Sequence, residues 1–164
     1  MEYYNNDYLM HYGVKGMKWG VRRYQNADGT LTAKGRKKIS KQYDKESKKV
    51  MNELSRRGNK IHLDAYNKAA DKMNKGGIDK FNEAQQKKYG KDYAKRDNYV
   101  SDYNKMFEKE VVKNMNRSLL DFYNSNKNYK KAQALVDKYD MTKWDDLAKS
   151  NSEAVQSLRD ALRE

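Results

Sequence analysis

The sequence predicts an all-α protein of about five to six helices of unequal length, elongated or packed as a small bundle. Its 164 residues contain no proline, so no position forces a helix to break. None of the nine glycines lies beyond residue 90. From residue 99 to 122, apolar side chains recur at spacings of three and four, the period of an amphipathic helix. The second half of the chain is therefore expected to be helical almost throughout.

The first 31 residues are expected to form an irregular segment, because they contain four of the nine glycines. Asp28 and Gly29 separate two short β-prone runs, 21–24 and 30–32. An Asp-Gly turn between such runs is typical of a hairpin. The sequence therefore predicts a short β-hairpin ahead of the helices.

Three helices are predicted between residues 32 and 90. The first covers about 32–57, with Thr32 as its N-cap and Gly58 as its C-terminal glycine. The second covers about 61–74 and stops at the glycine pair 76–77. The third begins at Asp79 as N-cap.

The C-terminal half carries the strongest helix, over about 98–123, which the polar run 124–126 should end. Its inward stripe consists of Tyr99, Tyr103, Met106, Phe107, Glu110, Val111, Asn114, Met115, Ser118, Leu119 and Phe122. A further helix is predicted over 128–139. Capping signals at Thr142 and Ser150 predict the starts of two final short segments.

The composition excludes several classes of protein. Leu, Ile, Val and Phe make up about 15% of the chain, below the rough 20% expected of a folded, highly charged sequence. A large aliphatic core is therefore excluded, and no apolar run approaches the roughly 18 residues of a membrane span. The chain has no cysteine, so disulfides and thiolate metal sites are absent. The N-terminus has no apolar stretch typical of a signal peptide, which predicts a protein that is not secreted.

Catalytic and metal chemistry are not predicted. His11 and His62 are 51 residues apart and have no histidine or cysteine neighbours, whereas a zinc site needs three or four ligands. No nucleophile elbow or phosphate-binding glycine loop is present, and the carboxylates are scattered among lysines. We therefore expect no enzyme, no metal and no cofactor.

The net charge of +13 is unevenly distributed. Residues 32–60 carry a net charge of +8, and residues 132–164 carry −2. Such an asymmetry indicates an anionic partner for one part of the molecule. The acidic C-terminal segment either docks on the basic one or forms a separate part of the protein.

A cationic face is predicted on the helix 32–57. Ile39, Tyr43, Val50 and Leu54 share one side of it, and a ridge of basic residues about 35–40 Å long lies on the other. Such a ridge suits the phosphate backbone of nucleic acid, bound without sequence preference. The alternatives are a solvated surface and, less favoured, an anionic membrane. The predicted nucleic-acid-binding residues are Lys34, Lys38, Lys41, Lys45, Lys48, Lys49 and Arg56.

The N-terminal stretch 8–24 combines interface-anchoring aromatic and arginine side chains with glycines that permit close backbone approach. It is predicted to bind a protein partner. The alternative is that Met17 and Trp19 fold back into the core of the protein. The predicted partner-binding residues are Tyr12, Gly13, Lys15, Gly16, Met17, Lys18, Trp19, Gly20, Arg22 and Arg23.

The segment 11–26 (HYGVKGMKWGVRRYQN), followed by DGTLT at 28–32 and by Gly35, resembles a motif of tailed phages and prophages of Gram-positive bacteria. The motif recurs in small virion-associated and minor head proteins of otherwise different sequence, and the resemblance covers about residues 8–39. It implies a phage structural protein in the virion or the host cytoplasm, with a head component as partner. It implies no catalytic residues.

These observations divide the chain into a docking motif at 1–31 and a basic helical body at 32–164. The favoured hypothesis is a non-enzymatic, head-associated phage protein that docks through the motif and contacts nucleic acid through the basic helix. One alternative is a phage-encoded anti-defence inhibitor, for example an anti-CRISPR protein that binds a nuclease effector. Another is a DNA-packaging accessory protein. The oligomeric state is left open.

Overall fold

The protein is all-α, as predicted, in a computed structural model that describes residues 23–26 and 28–163. With the first two helices counted as one across the kinked turn Met73–Gly77, the described residues form four helices, slightly fewer than predicted. The chain divides after residue 42 into two compact units, which are described separately. The helices are α1 (Ala33–Lys72), α2 (Ile78–Tyr89), α3 (Tyr99–Ser125), α4 (Lys127–Tyr139) and α5 (Asp146–Asp160).

The described part of the first unit is a minimal hairpin that leads into α1. Gln25 and Leu31 form an isolated antiparallel bridge, and the N–H of Asn26 donates to the carbonyl oxygen of Thr30 at 2.7 Å. Gly29 lies at the turn with a φ of 84°, a conformation that favours glycine. Of the predicted hairpin, the described residues therefore show the turn and a single bridge, and no strand.

Thr32 caps α1, as the sequence predicts. Its hydroxyl oxygen accepts the N–H of Gly35 at 3.1 Å, and its hydroxyl donates to the carbonyl oxygen of Arg23 at 3.0 Å. A β-carbon on Gly35 would lie 2.1 Å from the carbonyl oxygen of Tyr24. Only glycine therefore allows the first turn of α1 to approach the hairpin this closely.

α1 is one helix of 40 residues, and the predicted end at Arg57 with Gly58 as its cap is wrong. Gly58 lies inside the helix and is half-buried. A glycine there costs about 0.5–1 kcal/mol relative to alanine, too little to end a helix whose inward stripe continues. Ala65 and Ala69 continue that stripe and have no exposed surface. The predicted helix 61–74 is therefore mostly the second half of α1.

Gly58→Ala is expected to raise the free energy of unfolding by about 0.5–1 kcal/mol. A β-carbon at this position meets no atom within 4 Å, so no clash offsets the gain in helix propensity. Gly76→Ala is the contrasting variant and should lower stability by about 1–2 kcal/mol. Gly76 has a φ of 97° in the π turn Met73–Gly77, where the predicted break at 76–77 is confirmed. Urea unfolding followed by circular dichroism tests both variants, and a destabilised Gly58→Ala would contradict a continuous α1.

Aromatic side chains supply much of the packing in the second unit, where aliphatic residues are scarce. Phe81 of α2 packs on Tyr99 of α3 with 5.4 Å between ring centroids. Tyr66 of α1 meets Phe107 of α3 edge-on at 5.1 Å. The predicted stripe of α3 is confirmed, since every member from Tyr99 to Phe122 is buried or half-buried. Aromatic pairs of this kind are favourable beyond the area that they bury.

Asn126 forms the junction between α3 and α4. Its Oδ1 accepts the backbone N–H groups of Asn128 and Tyr129, each at 2.9 Å. Its Nδ2 donates to Oε2 of Glu53 on α1 at 2.7 Å, and the residue is 6% exposed. The predicted end of the helix at 124–126 is thus confirmed, and the same asparagine also starts the next helix and fixes it to α1.

Three predicted N-caps are wrong. Asp79 lies in the first turn of α2, Thr142 lies in a 3-10 turn, and Ser150 lies inside α5. α5 begins after Asp145, whose Oδ1 accepts the N–H of Ala148 at 3.0 Å. A cap at this earlier carboxylate adds a full turn of helix and buries Ala148 completely.

Candidate nucleic-acid interface

In the second unit, α1 presents a face of four predicted cations, and all four side chains are exposed. At 100° per residue they fall within about 100° of arc, and at 1.5 Å per residue they span about 16 Å. Tyr43 and Val50 lie on the opposite side of the helix and are 3% and 4% exposed. The predicted opposition of a basic and a buried side is therefore confirmed here. We call this surface the lysine face; it consists of Lys45, Lys48, Lys49 and Arg56.

Internal ion pairs leave most of the lysine face unneutralised. Lys49 donates to Oε1 of Glu46 at 2.8 Å, and this hydrogen bond is the main reason that the pKa of Glu46 lies below its ordinary value. The described ion pairs of the acidic segment 132–164 stay within that segment. Within the described chain, three cations of the face therefore form no ion pair: Lys45, Lys48 and Arg56.

The other three predicted cations, Lys34, Lys38 and Lys41, belong to the first unit and are exposed on the first turns of α1. The ammonium nitrogen of Lys38 lies 4.5 Å from the ring centroid of Tyr24, which is a cation–π geometry. Ile39, predicted to face the other way, is only 9% exposed. The predicted orientation of this part of the helix is therefore confirmed.

A second group of cations, not predicted from the sequence, consists of Arg57 on α1 with Lys127 and Lys131 on α4. Arg57 is paired with Oε1 of Glu53 at 2.9 Å, and its guanidinium carbon lies 5.8 Å from the ring centroid of Phe122. Lys127 and Lys131 are one turn apart on α4 and are exposed. The only signal in the sequence was the four-residue spacing of the two lysines, which places them on one side of a helix. Their closeness to Arg57 depends on packing in the second unit, which brings α4 beside α1.

Nine of the ten predicted docking residues, from Tyr12 to Arg22, lie outside the residues that the structure describes. Arg23 is the exception. It is exposed, and its guanidinium carbon lies 5.4 Å from the ring centroid of Tyr24. The docking role of this segment therefore stays a prediction.

Two further observations concern metal ions and membranes. No three histidine, aspartate or glutamate side chains of the described residues are grouped so as to hold a metal ion. His62 is exposed on α1, and His11 lies outside the described residues. None of the helices described above combines the length and the apolar character needed to cross a membrane.

Comparison with known proteins gives one partial match. Residues 2–26 match a family of unknown function, DUF7211. The match contains the whole glycine- and aromatic-rich stretch 8–24 in which docking is predicted, and it does not extend into α1. No curated protein and no solved structure matches the chain.

Proposed function

We propose that this is a non-enzymatic, head-associated phage protein that contacts nucleic acid through α1 and docks on a head component through its N-terminal motif. The docking and phage parts of the proposal rest on the resemblance of residues 8–39 to the phage motif. The nucleic-acid part rests on the surface of α1.

The lysine face is the observation that carries the nucleic-acid contact. Three of its members, Lys45, Lys48 and Arg56, form no ion pair with another described residue and are exposed on a helix whose other side is buried. Cations that form no internal ion pair are free to replace the condensed counterions of a phosphate backbone, and the release of those counterions drives binding. The contact requires no base-edge readout, so it predicts binding without sequence preference.

The burial of one side of α1 favours a phosphate backbone over a membrane surface as its partner. A helix that binds in a membrane interface must bury an apolar face among the lipids. In α1, the apolar side chains Tyr43 and Val50 are already buried within the second unit. These two side chains are therefore unavailable for membrane insertion. Between residues 45 and 56, Met51 alone among the large apolar side chains is exposed, and Leu63 and Tyr66 are exposed further along α1.

Replacing Lys45, Lys48 and Arg56 together by glutamine should weaken duplex DNA binding and flatten its salt dependence. If the wild-type chain contacts about five phosphates, log affinity should fall against log salt with a slope of roughly −4 to −5. Each lost phosphate contact removes about 0.9 from that slope, so the triple variant should lose up to about 2.7. Fluorescence anisotropy with a labelled duplex, between about 50 and 200 mM salt, measures both slopes.

The matched control replaces three exposed lysines away from the lysine face: Lys87, Lys109 and Lys113. This control removes the same net charge and should change the slope much less. An equal effect of the two triple variants would show that only net charge matters and would contradict a defined interface. Absence of binding by the wild-type chain at low salt would reject the nucleic-acid contact.

A further inference from the structure

We propose that the groove between α1 and α4 is a phosphate-binding site, distinct from the lysine face. The groove has a volume of about 380 Å³, within the roughly 300–1,000 Å³ of small-molecule pockets. Phe122 and Asn126 line it and are 5% and 6% exposed. Part of its lining is therefore buried within the second unit.

The charges that line the groove are predominantly positive. Arg57, Lys127 and Lys131 contribute three cations, and Glu53 contributes the one carboxylate. Both oxygens of Glu53 are already engaged, Oε1 by Arg57 at 2.9 Å and Oε2 by Asn126 at 2.7 Å. The remaining net charge of +2 favours an anionic phosphate group. Lys127 and Lys131 form no ion pair within the described chain, although the charge of Lys131 helps to lower the pKa of Glu46.

Arg57 lies at the α1 wall of the groove. It is paired with Glu53, and its guanidinium carbon lies 5.8 Å from the ring centroid of Phe122. A planar guanidinium offers several donors that suit phosphate oxygens, and a lysine ammonium adds a point charge. An arginine on one wall and two lysines one turn apart on the other would contact the phosphate from two sides.

The phosphate would be bound by side chains, and not by the backbone N–H groups at the start of α4. Asn126 Oδ1 already accepts the N–H groups of Asn128 and Tyr129, so these two donors are satisfied within the protein. The affinity should therefore depend on Lys127 and Lys131. Two sources share the phosphate chemistry: a phosphodiester of bound nucleic acid and a free phosphate-bearing ligand. Only the first rests on the proposed function.

The test uses the full chain, the groove variant Lys127→Gln/Lys131→Gln and the control Lys109→Gln/Lys113→Gln. Inorganic pyrophosphate, measured by calorimetry, is the probe for a free ligand. A short duplex DNA, measured by anisotropy against salt, is the probe for a phosphodiester. All four replaced lysines are exposed, so both variants should keep the wild-type thermal midpoint.

A loss of about ten-fold or more in pyrophosphate affinity in the groove variant alone would support the site with a free ligand as its source. A DNA salt slope reduced by up to about 1.8 in the groove variant alone would support it with a phosphodiester as its source. If both probes bind the groove variant as they bind the control, the proposal is overturned.

The proposed function can fail separately. A flattened slope in the triple variant of the lysine face, with the groove variant binding both DNA and pyrophosphate as the control does, would overturn the groove and leave the lysine face in place. The reverse result would support the groove and remove the lysine face from the nucleic-acid contact. Binding of pyrophosphate that depends on the groove, with no DNA binding at all, would support the groove and reject the nucleic-acid contact.

Discussion

Asn126→Ala should lower the free energy of unfolding by about 2–4 kcal/mol, because one side chain performs two structural roles. Loss of an N-cap costs about 0.5–2 kcal/mol, and here the cap starts α4. Loss of a hydrogen bond to a charged group costs about 1.5–3 kcal/mol, and here the bond links Asn126 to Glu53 on α1. Such a loss would remove a large part of the 5–15 kcal/mol typical of a folded domain.

Asn124→Ala is the matched control. Asn124 is the same residue type two positions earlier, and it is exposed near the end of α3. Its replacement should change stability by less than about 0.5 kcal/mol. Urea titration of both variants gives the comparison directly. Equal stabilities for the two variants would contradict the role of Asn126 as the link between α3, α4 and α1.

If the proposed docking on phage particles holds, Trp19→Ala should sharply reduce incorporation into the particles and leave the thermal midpoint of the protein nearly unchanged. In the docking hypothesis, Trp19 is a large aromatic anchor at an interface. Removal of such an anchor costs on the order of 2 kcal/mol or more of binding free energy. Incorporation is measured by quantitative mass spectrometry of purified particles, and the midpoint by circular dichroism.

The alternative for Trp19 predicts the opposite pair of results. A tryptophan that completes the core would cost about 3–5 kcal/mol of folding free energy on removal, and the midpoint would fall sharply. Tyr8→Ala, a smaller aromatic change in the same stretch, provides the comparison for incorporation. A thermal midpoint well below that of the wild type for Trp19→Ala would therefore contradict the docking hypothesis. A wild-type midpoint together with reduced incorporation would support it.

The regular part of the fold was predictable because its periodicity is long and consistent. Over more than six turns of α3, apolar side chains recur at helical spacing, and even the polar members Glu110, Asn114 and Ser118 are half-buried as predicted. Thr32 was predictable as a cap because a turn precedes it and a long helical pattern follows. These signals are local, and the structure follows them.

The errors arise where two local signals compete and tertiary packing decides between them. Gly58 follows a helical pattern, where a glycine commonly ends a helix. The buried stripe, however, continues on both sides of it through Val50 and Ala65. Asp145 and Ser150 both have capping chemistry. The earlier residue prevails because the longer helix buries Ala148 and Val155. The presence of a capping residue does not indicate how much apolar surface a helix that starts there would bury.

The lysine face depends on a local sequence signal, whereas the groove depends on tertiary packing. Cations on one helix can be placed by periodicity, so the exposure of Lys45, Lys48, Lys49 and Arg56 was predictable. The groove needs residues from α1 and α4, separated by more than 70 positions, and Asn126 joins them through a hydrogen bond to Glu53. No local pattern in the sequence encodes that contact.

The most direct test of the central claim is the protein content of purified phage particles. Particles produced by a phage or induced prophage that carries the gene are purified, and the amount of this chain relative to the major head protein is measured by mass spectrometry. The proposed function predicts a fixed ratio in every particle preparation. Presence of the chain in infected cells and its absence from the particles would contradict a head-associated role and would favour the anti-defence alternative.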